Sequence, residues 1–261
     1  MPGYDWISLT TDYGLSDGFV AACHGVLARI SPAARVIDVS HLIPPGDVAR
    51  GAAVLAQTVS HLPRAVHVAV VDPGVGTERR PVALITPGGI LVGPDNGLLP
   101  WAARELGGVV GGVHLTNEKW FAGRISRTFH GRDVFTPVAG RIAAGASLMD
   151  AGPEIDPASL IVLPDPVVAI GDGWLEAEVL TIDRFGNVQL AADGSLLAGL
   201  PGQIVVGGCR AINGATFADA PQGGMVVFPD SAERLAVAVN GGRAAVVLGV
   251  TAGDVLRITT D

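Results

Sequence analysis

The chain has 261 residues, 49% of them apolar and 16% charged, with a formal net charge of −8. That composition supports a sizeable core and excludes a disordered chain. An acidic balance with no basic run excludes nucleic acid as a natural partner. Two cysteines, Cys23 and Cys209, lie far apart and outside any CxxC pair, which excludes a disulfide framework or a thiolate zinc site. No apolar run has the length of a membrane span, and "MPGYDWISLTTDYG" lacks a basic region followed by a long apolar stretch. The expectation is a cytoplasmic protein with no membrane partner.

The N-terminal part alternates strand and helix patterns. "YDWISLTT" (4–11) reads as a strand. Residues 17–31 place Phe19, Val20, Cys23, Val26, Leu27 and Ile30 at helical spacing, with Cys23 as a small core residue. "RVIDVS" (35–40) is a second strand, and 47–62 a helix with Asp47 as N-cap. "AVHVAVVD" (65–72) is a third, strongly apolar strand. "VALIT" and "ILVG" form a hairpin around Gly88-Gly89. Helices follow over 96–108 and 133–146. The fold class is therefore an α/β domain, with a mostly parallel sheet between helices. Ligands in such sheets bind beyond the carboxyl ends of the strands. Three polar clusters fall there: Asp12, His41 to Asp47, and Asp72.

The Pro/Gly-rich stretch 163–173 divides this domain (1–162) from a second pattern (174–261). There "WLEAEVLTID", "NVQLAA", "QIVVGG", "MVVFPD", "RLAVAVN", "RAAVVLGV" and "DVLRITT" are short runs broken by glycine. They read as a smaller antiparallel β-barrel domain.

Five constellations are candidates for chemistry. In "TTDYGLSDG" (10–18), Asp12 leaves an apolar strand where a carboxylate can hold a vicinal diol such as ribose; Asp17 is better read as a helix cap. In "VVDPGVGTERR" (70–80), Asp72 precedes a glycine-rich loop that lacks the spacing of a dinucleotide or P-loop fingerprint. Arg79 either folds back on Asp72 as a charge-assisted pair or is solvated, and Arg80 is read as solvated. Asp95-Asn96-Gly97 is a capping turn. In "TFHGRDVF" (128–135), His130 is the histidine flanked by candidate chemistry, with Asp133 as a helix cap and Arg132 as its partner. His24, His61, His67 and His114 are read as core-edge or surface residues. In "IDRFGNV" (182–188), Asp183, Phe185 and Asn187 offer an aromatic face and an amide edge for a purine, or merely a hairpin turn.

These motifs in this order resemble the S-adenosyl-L-methionine hydroxide adenosyltransferase family, relatives of the fluorinase and chlorinase enzymes. The match spans residue 7 to about 190 and continues more weakly to about 243. The resemblance implies an α/β domain followed by a β-barrel, and a homotrimer with sites between one subunit's N-terminal domain and a neighbour's C-terminal domain. It implies cleavage of S-adenosyl-L-methionine by water to adenosine and L-methionine, with no cofactor and no metal. Asp72, Arg79 and His130 match the family's water-holding triad. Asp12 matches the ribose-binding carboxylate. Asp17, Asp183 and Ser231 match residues at the methionine end; Phe185, Asn187 and the backbone at Gly241 match adenine contacts. Gly46 stands where halogenating relatives carry tryptophan, and "FPDSAERLAVAV" departs from the usual Asn-Ser-x-Gly-Tyr pattern around Ser231. Gly131 leaves space beside the nucleophile, as in the chlorinase, whereas Asp72 and His130 argue for water over halide.

The chemistry fits these residue types. The leaving thioether departs neutral, so no general acid is needed. Water, with a pKa of about 15.7, must shed a proton. His130, with a reference pKa of about 6.5, is the expected acceptor, oriented by Asp72 and Arg79. The competing readings are a chlorinase-like halogenase, a non-catalytic adenosine or S-adenosylmethionine binder, and a metal-dependent hydrolase built on Asp12, Asp72, His130 and Asp133.

Overall fold

The computed structural model describes residues 3–200 and 203–260. Its contacts divide the chain into two compact units, Met1–Leu163 and Pro164–Asp261.

In the first unit, β1 (Trp6–Thr11), α1 (Phe19–Ile30), β2 (Arg35–Ser40), α2 (Val48–Val59) and β3 (Ala65–Val70) alternate as their periodicities demand. β4 (Pro81–Thr86), β5 (Gly89–Pro94), α3 (Leu98–Ala103), β6 (Gly111–His114) and α4 (Thr136–Ala143) complete it. The six-stranded sheet runs β2-β1-β3-β5-β4-β6. β1 pairs in parallel with β2 and β3, and β3 with β5, while β4 is antiparallel to both of its neighbours.

Side-chain alternation gives the sheet two apolar faces. Ile7, Leu9, Val66, Val68 and Val70 pack with Cys23 and Leu27 of α1 and Val138 and Ile142 of α4. Ala69, Val71, Leu84 and Leu91 pack with Leu55 and Val59 of α2 and Leu98 and Ala102 of α3. The chain passes from β1 outward to β2 and returns to β3 on the other side of β1. The strand order thus reverses at β1, and such a switch point opens a crevice at the carboxyl edge. Asp12 and Asp72 lie at that edge.

Several local expectations change. Asp47 does cap α2, accepting the Arg50 N–H at 2.9 Å. Asp17 caps nothing: Gly18 is the N-cap of α1, without a side-chain bond, and Asp17 is exposed. His67 is not at a core edge but fully buried in β3, its Nδ1 2.8 Å from Ser8 Oγ.

The second unit is built from β7 (Val168–Gly171), β8 (Trp174–Ile182), β9 (Val188–Asp193), β10 (Gln203–Val206), β11 (Cys209–Asn213), β12 (Met225–Pro229), β13 (Arg234–Val239), α5 (Ala244–Leu248) and β14 (Val255–Thr260). β14 pairs with both β10 and β8, closing a seven-stranded barrel, and β7 adds to the outside of β8. One pair, β11 with β12, is parallel. β8 alternates strictly, with Leu175, Ala177 and Val179 turned into the core.

"RAAVVLGV", expected as a strand, is instead the helix α5. Ala244, Ala245 and Leu248 face the barrel core while Val246 and Val247 face solvent. That spacing is helical rather than alternate.

Candidate active site

β3 delivers Asp72 two residues past its last paired residue, and the loop turns at once, Val75 N–H donating to Asp72 O. The loop then folds Arg79 back onto Asp72. Arg79 Nε donates to Oδ1 at 3.1 Å and to Oδ2 at 2.9 Å, and Nη2 donates to Oδ2 at 2.6 Å. Both side chains are nearly buried, so each charge needs the other. The second reading of Arg79, as a solvated residue, is thereby closed. The guanidinium also lies 5.2 Å from the centroid of the buried Phe135 ring.

Gly76 fixes the loop against the segment carrying His130. Its φ is 77°, and a β-carbon there would run into the Arg127 carbonyl, so only glycine suits both demands. Three residues on, His130 meets Arg79: Nη2 is 2.8 Å from His130 Nδ1. A guanidinium has donors only. Nδ1 is therefore the acceptor, and the neutral ring carries its proton on Nε2. Burial, and next the Arg79 charge, hold the imidazole below its ordinary pKa, against the smaller pull of Asp72 and Asp133. Arg79 is thus the hub of the group, joining a carboxylate to a neutral histidine.

After His130 the backbone makes a wide turn, Gly131–Phe135, with Thr136 N–H reaching Gly131 O, before α4 begins. Such one-turn widenings cluster at functional sites. The position expected to be open space beside Gly131 is occupied: a β-carbon there would overlap the Tyr13 hydroxyl. Tyr13 is held edge-on by Phe129, with ring centroids 5.5 Å apart, and by Phe19 at 6.3 Å. Burial, then Cys23, Asp12 and Asp72, push its hydroxyl well above the ordinary range, so it stays a proton donor. Tyr13 is not legible as a site residue from the sequence. Its only signal is the side-chain-free Gly131 across from it. Asp12, its neighbour, accepts the Gly46 N–H through Oδ2 at 2.9 Å, and Oδ1 takes no hydrogen bond among the described residues.

The surrounding charges are structural. Asp133 does not cap a helix. It is buried and accepts Arg132 Nε and Nη2 at 2.7 and 2.9 Å and the Ser126 N–H at 2.8 Å. Burial pushes its carboxyl up, and these bonds more than offset that, leaving it below the usual range. Arg80 is not a solvated residue: Nη2 donates to the buried Asp95 at 2.6 Å and to Ser159 O at 2.6 Å. Asp95 also takes the Ile161 N–H; Gly97 is the N-cap of α3, without a side-chain cap bond, and Asn96 Oδ1 accepts the Leu98 N–H across it at 3.3 Å.

In the second unit, Asp183 organises its own turn. Oδ1 accepts the Phe185 and Asn187 N–H groups at 2.8 and 2.9 Å, and Oδ2 accepts Asn187 Nδ2 at 2.8 Å. Phe185 projects outward, 66% exposed. The strand β13 leads into Gly241, and the segment beyond it docks on this turn: Ala245 N–H donates to Gly186 O and Arg243 Nη1 to Arg184 O. Phe185, Asn187 and the Gly241 segment are thus brought together. Ser231 is exposed in the β12–β13 turn, at the other end of β13. Its neighbour Asp230 reaches β9, accepting Gln189 Nε2 at 2.5 Å, two residues past Asn187. Among the described residues, no helix is long and apolar enough to cross a membrane.

Residues 7–152 match the SAM hydroxide adenosyltransferase N-terminal domain and residues 177–257 the corresponding C-terminal domain. The chain is 64% identical, over 99% of both chains, to a Salinispora arenicola protein named (R)-S-adenosyl-L-methionine hydrolase. It is 40% identical to the protein of that name from Thermus thermophilus, over 95% of this chain and 97% of the other. A fluorinase from Actinoplanes is more distant, at 26% over 97% of both. A crystal structure of an uncharacterized conserved protein from Thermotoga maritima superposes with a TM-score of 0.90 at 34% identity, covering 97% of this chain and 99% of that one. The chain belongs to the SAM hydroxide adenosyltransferase family.

Proposed function

We propose that this protein hydrolyses S-adenosyl-L-methionine to adenosine and L-methionine, through in-line attack of water on the 5′ carbon. The observation that carries the reading is the Arg79 hub, which fixes the Asp72 carboxylate beside a neutral His130 at the carboxyl edge of the sheet. The water oxygen forms the new C–O bond as the C5′–S bond breaks. The thioether leaves with the bonding pair and without charge, and the water proton goes to a base.

The hydrogen bonds select that base. His130 Nδ1 is filled by Arg79, and Nε2 already bears hydrogen. Asp72 retains lone pairs, since a carboxylate offers about four acceptor positions and Arg79 contributes three contacts shared between its two oxygens. Asp72 therefore orients the water and takes its proton, while His130 holds Arg79 and Tyr13 bounds the slot. Because the leaving group is neutral, the step requires no Lewis acid or redox cofactor. Positioning carries most of the rate gain.

The rest of the substrate is assigned by chemistry. Asp12 takes the ribose diol. Phe185 stacks on the adenine, and Asn187 reads its edge with its carbonyl and remaining amide hydrogen, beside the Gly241 backbone. Asp17, Asp183 and Ser231 hold the methionine end. The assembly belonging to this reading is a homotrimer, with each site shared between one subunit's first unit and a neighbour's second. The (R) in the relatives' names points to the (R)-sulfonium epimer as the preferred substrate. A cytoplasmic location agrees with two free cysteines, which a reducing compartment tolerates.

Incubation with S-adenosylmethionine in oxygen-18 water tests the proposal. It predicts label in the adenosine 5′ hydroxyl and equimolar methionine. Absence of adenosine, or a 5′-chloro product when chloride is added, overturns it.

A further inference from the structure

We propose that His24, Asp38 and His41 form a binding site for a divalent transition ion of the zinc class, from residues that the Asp72–Arg79–His130 group does not use. His24 projects from α1, Asp38 from β2, and His41 from the turn that follows β2. Asp38 Oδ1 lies 2.9 Å from His24 Nε2 and 3.0 Å from His41 Nε2, and the three atoms all lie within 4.8 Å of one another. Metal–nitrogen bonds of 2.0–2.1 Å in a tetrahedron set ligand atoms about 3.3 Å apart. The two edges from Asp38 are close to that, and the third is no longer than 4.8 Å, before any adjustment to an ion.

The buried member of the cluster is the one with a nitrogen to offer an ion. His41 is only 4% exposed, and its Nε2 has no hydrogen bond. The nearby Asp38 oxygen makes a close contact without hydrogen-bond geometry. The other nitrogen, Nδ1, is 2.8 Å from Thr11 Oγ1, a hydroxyl that also accepts the Tyr13 N–H at 3.2 Å. With hydrogen on Nε2 as well as Nδ1 the 3.0 Å contact is an ion pair with Asp38; with hydrogen on Nδ1 alone, donated to Thr11, Nε2 presents a bare lone pair to a carboxylate oxygen. A cation between them turns that repulsion into two coordinate bonds. A metal-bound histidine uses just such an outer hydrogen bond to fix its tautomer. His24 and Asp38 are partly open to solvent, at 37% and 43% of their side chains, so an ion has access and a water can fill the fourth position.

The site would reach the strand end that carries Asp12. His41 holds Thr11 through its ring, and its carbonyl accepts the Gly14 N–H at 2.7 Å. An ion on His41 therefore braces the turn between them, and this holds whatever reaction the protein performs.

The test is calorimetric titration of zinc chloride into chelator-treated protein at neutral pH, on wild type, His24→Lys and His130→Asn. His24→Lys keeps a cation beside Asp38 but removes a ligand. Wild type should bind one ion per chain. His24→Lys should bind at least about a hundredfold more weakly, with an unchanged melting temperature in the absence of zinc. His130→Asn should bind like wild type. Lack of saturable binding by wild type, or undiminished binding by His24→Lys, overturns the assignment. So does loss of binding in His130→Asn, which would place the ion on the other histidine.

Discussion

His130→Asn separates two roles that a histidine can play beside a reacting water. In the structure, His130 Nδ1 accepts from Arg79 Nη2 at 2.8 Å. Asparagine places its Oδ1 at the same branch from Cγ as Nδ1, so it can accept that bond while being unable to take a proton. If His130 serves to hold Arg79, asparagine keeps the acceptor and the variant loses only part of that charge-assisted bond, roughly 0.5–1.5 kcal/mol of about 1.5–3. At about 1.36 kcal/mol per factor of ten, kcat/KM for adenosine release falls only about 2- to 13-fold. Glutamine carries its acceptor one bond farther out, so His130→Gln should be clearly worse than His130→Asn. If His130 is instead the general base, both variants lose about 10²–10⁴-fold, without ranking. The assay is initial-rate adenosine formation by chromatography, with thermal melting as the control on folding. A fall beyond about a hundredfold in well-folded His130→Asn would refute the assignment of the proton to Asp72.

Arg79→Lys replaces a fork that bonds both Asp72 oxygens and His130 with a single ammonium. It should lose at least one charge-assisted bond of about 1.5–3 kcal/mol, lowering kcat/KM about 10- to 150-fold in the same assay. Gly131→Ala drives a methyl group into the Tyr13 hydroxyl; turnover should fall by about tenfold or more, and adding Tyr13→Phe should restore part of it. His67 predicts acid lability: burial lowers its pKa from 6.5 to about 4. A depressed histidine pKa favours folding fully above 6.5, and that contribution is lost as pH falls from 6.5 towards 4. The loss approaches about 3 kcal/mol. Denaturant titrations at pH 7 and pH 4 should show a correspondingly smaller pH effect in His67→Asn; an unchanged pH effect would count against the buried neutral imidazole.

Elements with strong periodicity were legible from the chain alone. β3 is apolar on both faces because it lies inside a covered sheet, and the helical stripes of α1 and α2 name their own core residues. β6 was not legible, because Gly111 and Gly112 carry no side chains to form a pattern. α5 misled because five small apolar residues fit either period, and only the closing of the barrel by β14 decides between them. At the site, the motif named Asp72, Arg79 and His130, but not the direction of the bonds joining them. Tyr13 stayed hidden for a related reason: its importance rests on a contact 118 positions away, with a residue that has no side chain.

The direction of those bonds also bears on why a carboxylate belongs here at all. A halide must approach the 5′ carbon as a bare anion, and a nearly buried Asp72 opposes it. Arg79 does not relieve this by supplying a free positive charge, since its fork is spent on Asp72 and His130. Water is affected in the opposite sense, because it approaches uncharged and gains a hydrogen bond to Asp72. Its acidity rises steeply only as the C–O bond forms. A weak base is then sufficient, because the proton is released to it late. On the proposed reading, a carboxylate held by Arg79 beside the water thus favours water through both repulsion and orientation. Asp72→Asn should accordingly lose hydrolysis and admit chloride, because Arg79, freed of its partner, keeps a charge that the neutral His130 does not cancel. Product analysis in high chloride decides this: loss of hydrolysis with no 5′-chloroadenosine from well-folded Asp72→Asn would show that the carboxylate is not what excludes the halide.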